Sequence, residues 1–355
     1  LYNQNESNRA NSPANDSLNL SISEEPVWKK WIERNPSLGM KIGDPAILSN
    51  TLFYNAKVPF NTESDNDFYS FGGLSYRSTK SYAINRTPYM ILNDFGIFMG
   101  ADSIYNGFQP TFESDVRDNF FVFGMSGLAA DGTIKYDLSQ TISANDIDFS
   151  VDESFNPTLE ENSPTTFKVG GYKLQNNNSR FTLDWEATNW LNIIVGSDFR
   201  SEQYVIKAGE EKSYTGEGVI SYQGTRPENS LVVNRNNFGG FADVNIRTGR
   251  FNIEGSSRFE QYIKYKPALA TKLAGLFKIA DENYFKWFLR TSRATGFRAP
   301  AMQQIYYNRA QTLISGGALS NRTTFNTFSP VIRLLGLDPL VSESSTTFSI
   351  GSEII

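Results

Sequence analysis

Long runs of two-residue alternation constrain this chain more than any other feature of its sequence. In residues 134–142, Ile134, Tyr136, Leu138 and Ile142 fall on one side, and Lys135, Asp137, Ser139 and Thr141 on the other. Phe181, Leu183 and Trp185 alternate with Thr182, Asp184 and Glu186. Leu191, Ile193, Val195 and Phe199 mostly alternate with Asn192, Gly196, Asp198 and Arg200, with Ile194 breaking the pattern. Phe251, Ile253 and Phe259 alternate with Asn252, Glu254, Arg258 and Glu260, and Phe285, Trp287 and Leu289 with Lys286, Phe288 and Arg290. Side chains of a strand point to opposite faces in turn, so this pattern specifies half-apolar strands and excludes helices, whose apolar spacing is three and four.

The strands implied are long. Several hold alternation for about ten residues or more, against about five or six in an average soluble strand. A tilted strand needs about 9–11 residues to cross a bilayer. Charges sit deep on the polar face, which suits a water-filled or plugged lumen; in a soluble sandwich the same face would be outer surface, so charge alone leaves both open.

Composition removes other classes. The chain has no histidine and no cysteine. That excludes Ser-His-Asp and Cys-His catalysis, thiolate or imidazole metal sites, and disulfides. A formal net charge of −5 lacks the basic excess of nucleic-acid binders. No apolar run is long enough for a transmembrane helix. Aromatic residues make up 14% of the chain, with abundant Thr, Ser, Asn and Gly, which suits strands and turns. A soluble sandwich or propeller and a transmembrane β-barrel both meet this description. The chain opens Leu1-Tyr2-Asn3, without an initiator Met or a signal-peptide core, and reads as a mature protein or a piece of one.

Connection lengths separate the two. Short connections at 61–66, 129–132, 188–190, 247–250 and 280–283 alternate with long ones at 78–116, 147–170, 205–236 and 295–344. Outer-membrane barrels place tight turns at one end and extended loops at the other, whereas a soluble meander has no reason to. One connection, between strands near 250–263 and 267–280, is short where a long one is due. With this polarity, Tyr204, Tyr262 and Tyr306 fall near the outer rim, where an aromatic girdle is expected.

At this point a family resemblance emerges. Residues 295–306, Thr-Gly-Phe-Arg-Ala-Pro-Ala-Met-Gln-Gln-Ile-Tyr, resemble the GFRAP-type motif of TonB-dependent outer-membrane receptors and follow a strand, as in that family. Tyr105-Asn106-Gly107-Phe108-Gln109-Pro110 is similar to the family's YPNGF-x-P stretch, lacking its first Pro. Gly43-Asp44-Pro45 with Tyr69 to Gly73, Ser163 to Phe167 with Gly170-Gly171, Ala208-Gly209-Glu210 with Ser213-Tyr214, and Leu335-Gly336 through Gly351 add weaker matches in the family's order. The resemblance implies an all-β, antiparallel transmembrane barrel, part of a twenty-two-stranded wall. About eleven or twelve strands are expected in 1–355. The plug domain and the last strands are not recognisable in it, so the sequence reads as part of a longer receptor.

The resemblance further implies active uptake of a scarce nutrient, such as a siderophore, cobalamin or an oligosaccharide, across the outer membrane of a Gram-negative bacterium. The ligand is expected among the extracellular loops. TonB of the TonB-ExbB-ExbD system is the implied partner, acting through the plug; outer-membrane lipid and a surface lipoprotein are further partners. A passive porin is the alternative. Neither enzymatic activity nor a cofactor is expected.

Among individual residues, Tyr105, Asn106, Gly107, Phe108, Pro110, Gly296, Phe297, Arg298, Ala299 and Pro300 carry the two main motifs, with structural roles favoured. Arg298 can pair with a loop or plug carboxylate, or its motif can shape the strand exit where Pro300 ends the ladder. Asp137, Asp184, Asp198, Arg200, Glu254, Arg258, Lys286 and Arg290 are expected as a hydrated, mutually paired lumen wall. Asp146, Asp148, Asp152 and Glu153 lack EF-hand spacing and read as a solvated acidic loop in preference to a calcium site.

Overall fold

The computed structural model describes residues 2–5, 10–11, 41–60, 65–83, 86, 97–98, 107–263, 266–282, 284–315 and 318–355. Its strands, in chain order, are β1 (Tyr2–Asn5), β2 (Ala10–Asn11), β3 (Lys41–Ile42), β4 (Ala46–Pro59), β5 (Asp67–Tyr82), β6 (Thr111–Ala129), β7 (Ile134–Asp152) and β8 (Phe167–Thr188). They continue as β9 (Leu191–Lys207), β10 (Leu231–Thr248), β11 (Phe251–Tyr262), β12 (Ala268–Glu282), β13 (Phe285–Arg298), β14 (Arg309–Ser315), β15 (Ala318–Thr324) and β16 (Glu343–Ile354). Twelve form one sheet in the order β1-β4-β5-β6-β7-β8-β9-β10-β11-β12-β13-β16, with each neighbouring pair antiparallel. From β4 to β13 sequential strands are therefore spatial neighbours, as in an up-and-down barrel wall, while β2-β3 and β14-β15 form separate two-stranded sheets.

Register shows how the alternation is used. Leu52, Phe68, Phe123, Leu138, Phe181, Val195, Phe238, Ile253, Leu273, Leu289 and Ile350 share one face through the paired positions. All are exposed in the isolated chain. They form a continuous apolar belt that slips in register across the sheet. Leu138 of β7 lies opposite Phe181 of β8, but the next apolar position, Ile142, lies opposite Asn177. Such slippage is what strands tilted through a level apolar slab require. No helix among the described residues is long and apolar enough to cross a membrane.

The tight turns fall at one end. Ala129 to Gly132 reverses β6 into β7 through three successive positive φ values, at Ala130, Asp131 and Gly132. Part of the expected turns at 61–66 and 280–283 lies outside the described residues. At the other end the connections span 83–110, 153–166, 208–230 and 299–342, each shorter than expected from sequence. The strands run on beyond the apolar belt before they turn. Asp146, Asp148 and Asp152, expected in a loop, thus belong to β7. The β11–β12 connection remains short, with residues 264–265 outside the described set.

The packed core sits entirely at this long-loop end. Val151, Phe167, Val169 and Val219 cluster there, with Phe112, Phe149 and Tyr222 against them. A second cluster joins Tyr204, Ile206 and Met302. Three connections interlock above it. Ser154 Oγ donates to the Ile220 carbonyl at 2.9 Å, and the buried Asn156 amide donates to the carbonyls of Lys212 and Thr215 at 2.8 and 2.9 Å. Phe108 stacks on Phe98 at 4.9 Å and meets Phe155 edge-on at 5.3 Å.

Candidate functional site

The face opposite the belt is polar, and all eight charges singled out in the sequence lie on it by register. They are spread along the wall, and only Asp198 and Arg258 meet each other. Asp137 accepts from the Tyr69 hydroxyl at 2.7 Å, and Asp184 from the Asn192 amide at 2.6 Å. Glu254 pairs with Lys272 at 2.6 Å. Arg290 reaches Glu353 at 3.9 Å. Lys286 lies opposite Asp281 of β12, while Arg200 lies opposite Asn237. Half-exposed pairs of this kind contribute about 0–1 kcal/mol each. They keep one face of the sheet polar along its length. Among the described residues no group of three potential ligands gathers to hold a metal ion.

Near the long-loop end the network tightens. Arg258 donates to both Asp198 oxygens at 2.9 and 3.1 Å and to Glu260 at 2.7 Å, and Glu260 accepts from the buried Asn237 amide at 3.1 Å. Gly239 makes this possible: a Cβ there would stand 2.8 Å from Asp198 Oδ2 and 2.9 Å from the Arg258 guanidinium. One step outward, Arg235 pairs with Glu202 at 2.7 Å with both side chains largely buried, lies 4.9 Å over the Tyr262 ring, and donates to the Pro300 carbonyl at 2.7 Å.

Beyond that network runs a row of rings. Phe112 of β6, Phe149 of β7, Tyr172 of β8 and Tyr204 of β9 follow one another across four adjacent strands, 5.2, 5.8 and 6.3 Å apart. Tyr222 from connection 208–230 adds to Phe112 at 4.4 Å, and Tyr307 from connection 299–342 adds to Tyr172 at 6.0 Å. The Arg309 guanidinium lies 3.8 Å over Tyr222. Burial, with Tyr307 beside it, pushes the Tyr204 hydroxyl up to about 12, and burial moves Tyr172 and Tyr222 the same way. These hydroxyls stay neutral across physiological pH.

The outer surface above the belt carries a separate ion cluster. Lys207 contacts Asp146 and Asp148, and Arg117 reaches Asp148 at 2.7 Å. Partial burial would raise the Asp148 carboxyl, but the hydrogen bonds from Lys207 and Arg117 outweigh it and hold it below the usual carboxylate range. Two of the four residues weighed as an acidic cluster are thus neutralised by cations.

The motif residues have scaffold positions. Tyr105 and Asn106 lie outside the described residues. Gly107 takes a positive φ of 75°, and Phe108 exchanges backbone hydrogen bonds with Arg86 at 2.7 and 3.0 Å. The buried Pro110 accepts from the Ala83 amide at 2.8 Å. Gly296, Phe297 and Arg298 complete the β13–β16 ladder, opposite Ser345, Ser344 and Glu343. Arg298 is exposed, Ala299 half-buried, and Pro300 buried. Pro300, with no amide hydrogen, ends the ladder and presents its carbonyl to Arg235.

The expected rim girdle is corrected for its tyrosines. Tyr204 and Tyr262 are buried on the polar face, and Tyr306 leaves the sheet to pack on Phe328 at 5.6 Å. Their parity was the available signal: Tyr204 shares it with Asp198 and Arg200, and Tyr262 with Arg258 and Glu260. The same parity exposes Glu202 as a wall residue that sequence reading passed over. Nothing in the sequence marks the contact of Arg235 with Pro300.

No curated protein matches this chain. The solved RagAB peptide transporter superposes with a TM-score of 0.53 at 12% identity, over 87% of this chain and 38% of that one. The same importer in an "open-open" state gives 0.54 at 11% identity, with the same coverage. A point mutant of the ferric enterobactin receptor PfeA of Pseudomonas aeruginosa gives 0.48 at 10% identity over 87% of this chain and 48% of that one. The chain therefore spans less than half the length of each of these structures. The family profile described as "TonB dependent receptor-like, beta-barrel" matches residues 43–354, almost the whole of the wall with its loops, and the chain belongs to the TonB-dependent receptor β-barrel family.

Proposed function

We propose that this chain supplies barrel wall and outer loops to a TonB-dependent transporter that takes up a scarce nutrient across the outer membrane of a Gram-negative bacterium. The observation that carries this reading is the two-sided sheet. One face bears an apolar belt suited to lipid, the other a paired, hydrated wall. On this reading the polar face is the lumen and the long connections are extracellular. The interlocked loops over that face favour gated uptake over an open diffusion channel. TonB is the energy-coupling partner, outer-membrane lipid surrounds the belt, and a surface lipoprotein is a further partner at the loops. The ligand falls within the range of siderophore, cobalamin, oligosaccharide and peptide. The role is transport, with no catalytic step.

The test is genetic. Strains lacking this gene, or lacking TonB, are grown with iron chelates, cobalamin, glycans or peptides as the limiting nutrient. Both deletions are expected to abolish growth on the same nutrient. Growth that needs this gene but not TonB would replace the reading with a passive channel.

A further inference from the structure

The longest described connection leaves β13 and immediately crosses the polar face. Pro300, two residues after the last residue of β13, is held by Arg235 of β10, three strands away in the sheet order. The one-turn helix Met302–Tyr306 follows. Met302 packs against Tyr204 and Ile206 of β9, and Met302 and Ile305 are both fully buried. Tyr307 then reaches Tyr172 of β8, and Arg309 lies over Tyr222 of the 208–230 connection. Within ten residues the chain thus passes from the β13 end of the wall to β8, directly over the aromatic row.

This crossing segment has few bonds of its own. Its helix is a single turn, too short to persist unaided. Its described anchors are the apolar contacts of Met302, the burial of Ile305, the ring contacts of Tyr306 and Tyr307, the Arg309 guanidinium over Tyr222, the Asn308 amide donating to the Asn229 side chain at 2.8 Å, the hydrogen bonds of Thr327 to the Ile305 carbonyl, and Arg235. Of these anchors, Arg235 is the one that ties it to the wall by a charge-assisted hydrogen bond. The guanidinium fork suits this task, because it serves the Glu202 carboxylate and the Pro300 carbonyl together. Glu202 and Tyr262 on the two flanking strands hold the fork in place.

We propose that residues 299–309 form a strap closed over the aromatic row, and that Arg235 is the positioning residue that latches it. Opening the strap uncovers Tyr172 and Tyr204 to the loop side. The inference rests on the outer-membrane reading, which places this end outside the cell.

The chain's lack of cysteine makes the test clean. Single cysteines are placed in the strap (Ile305→Cys, and separately Met302→Cys) and, as a control, at the exposed Glu161→Cys. Intact cells are treated with a membrane-impermeant maleimide. The control should label fast and the strap sites slowly. Arg235→Ala should speed strap labelling about tenfold or more, the scale of a lost charge-assisted hydrogen bond, without changing the control. Arg235→Lys should speed it nearly as much, because lysine keeps the charge beside Glu202 but lacks the fork; rescue by lysine would reduce Arg235 to an ion-pair partner in the wall and overturn the latch. Unchanged strap labelling in the alanine variant also overturns it, as does fast labelling of both strap sites with Arg235 in place. If Arg235→Ala disturbs the control, Glu202→Gln carries the test, with faster strap labelling expected and an unchanged rate overturning the proposal. A control that never labels from outside overturns the outer-membrane reading itself, and the strap with it.

Discussion

The wall and the loop end of this molecule use the same apolar residue types in opposite ways. In the wall, Leu52, Phe68, Phe123, Leu138 and Leu273 stand exposed on the outer face. The strands there are held by backbone ladders, which lipid leaves no alternative to forming. At the loop end, Val151, Phe155, Phe167 and Val169 are removed from solvent completely. All the largest fully buried side chains among the described residues lie at this end, Asn156, Asn237 and Thr111 included. The wall is thus stabilised by matching its solvent, and the loop end by packing as a water-soluble domain packs. Long loops of a barrel are expected to be loosely held; these bury side chains completely, as the strand ends beneath them do.

That difference can be broken at four sites. The largest effect is expected from Phe155→Ala, which removes a fully buried ring from the interlocked loops. It should cost about 3–5 kcal/mol of loop-end stability, read as loss of hydrogen-exchange protection in 153–166 and 208–230. The same truncation at Phe123, on the belt, should leave that protection unchanged. Equal losses from both would erase the distinction drawn between the regions.

Next in size is Leu138→Arg on the belt, expected to destabilise the wall by about 2–4 kcal/mol in a bilayer. Ser139→Arg, one residue on and facing the polar side, should be tolerated. Folding into lipid vesicles over a urea series separates the two, and comparable costs would contradict the assignment of faces.

Asn156→Ala comes third. Its amide serves two carbonyls of the neighbouring connection and its side-chain oxygen accepts from the Thr158 amide. Leaving those groups unpaired should cost about 1–3 kcal/mol. Hydrogen exchange at Thr158 and along 211–215 should rise while exchange in the belt strands stays fixed.

The smallest effect concerns the surface cluster of Asp148, Lys207 and Arg117. The Asp148 pKa is depressed in the folded protein, so its contribution is complete above the ordinary carboxylate pKa of about 3.9 and is lost as pH falls through the lower folded value. The pair is partly exposed, so less than about 1 kcal/mol is at stake. Asp148→Asn should therefore flatten the acid side of the stability–pH curve only slightly, below about pH 4.

Much of the wall was legible from residues alone. The parity of Asp137, Asp184, Asp198, Arg200, Glu254, Arg258, Lys286 and Arg290 placed all eight on one face, and the register agrees. The same rule, followed past the belt, would have placed Tyr204 and Tyr262 inward too. They were instead expected at a lipid rim because aromatic residues at strand ends suit one. Loop bounds were set too wide for a related reason: apolar alternation fades where strands leave the bilayer, although their ladders continue. Phe98 and Phe108 of one connection meet Phe155 of the next, and no local pattern announces such a meeting.

What the sequence determined by itself is which face most wall residues take and which end carries the long connections. The faces follow from the covalent geometry of an extended chain, whose side chains alternate until a bulge shifts the register, as one does opposite Phe149 and Ser150, and the ends follow from the alternation of short and long connections. What only the tertiary structure decided is where the connections go after leaving the wall. Arg235 and Pro300 are 65 residues apart and join because β9 to β13 form one continuous sheet beneath the strap. That contact depends on loop closure and packing among distant segments, which period and composition do not encode.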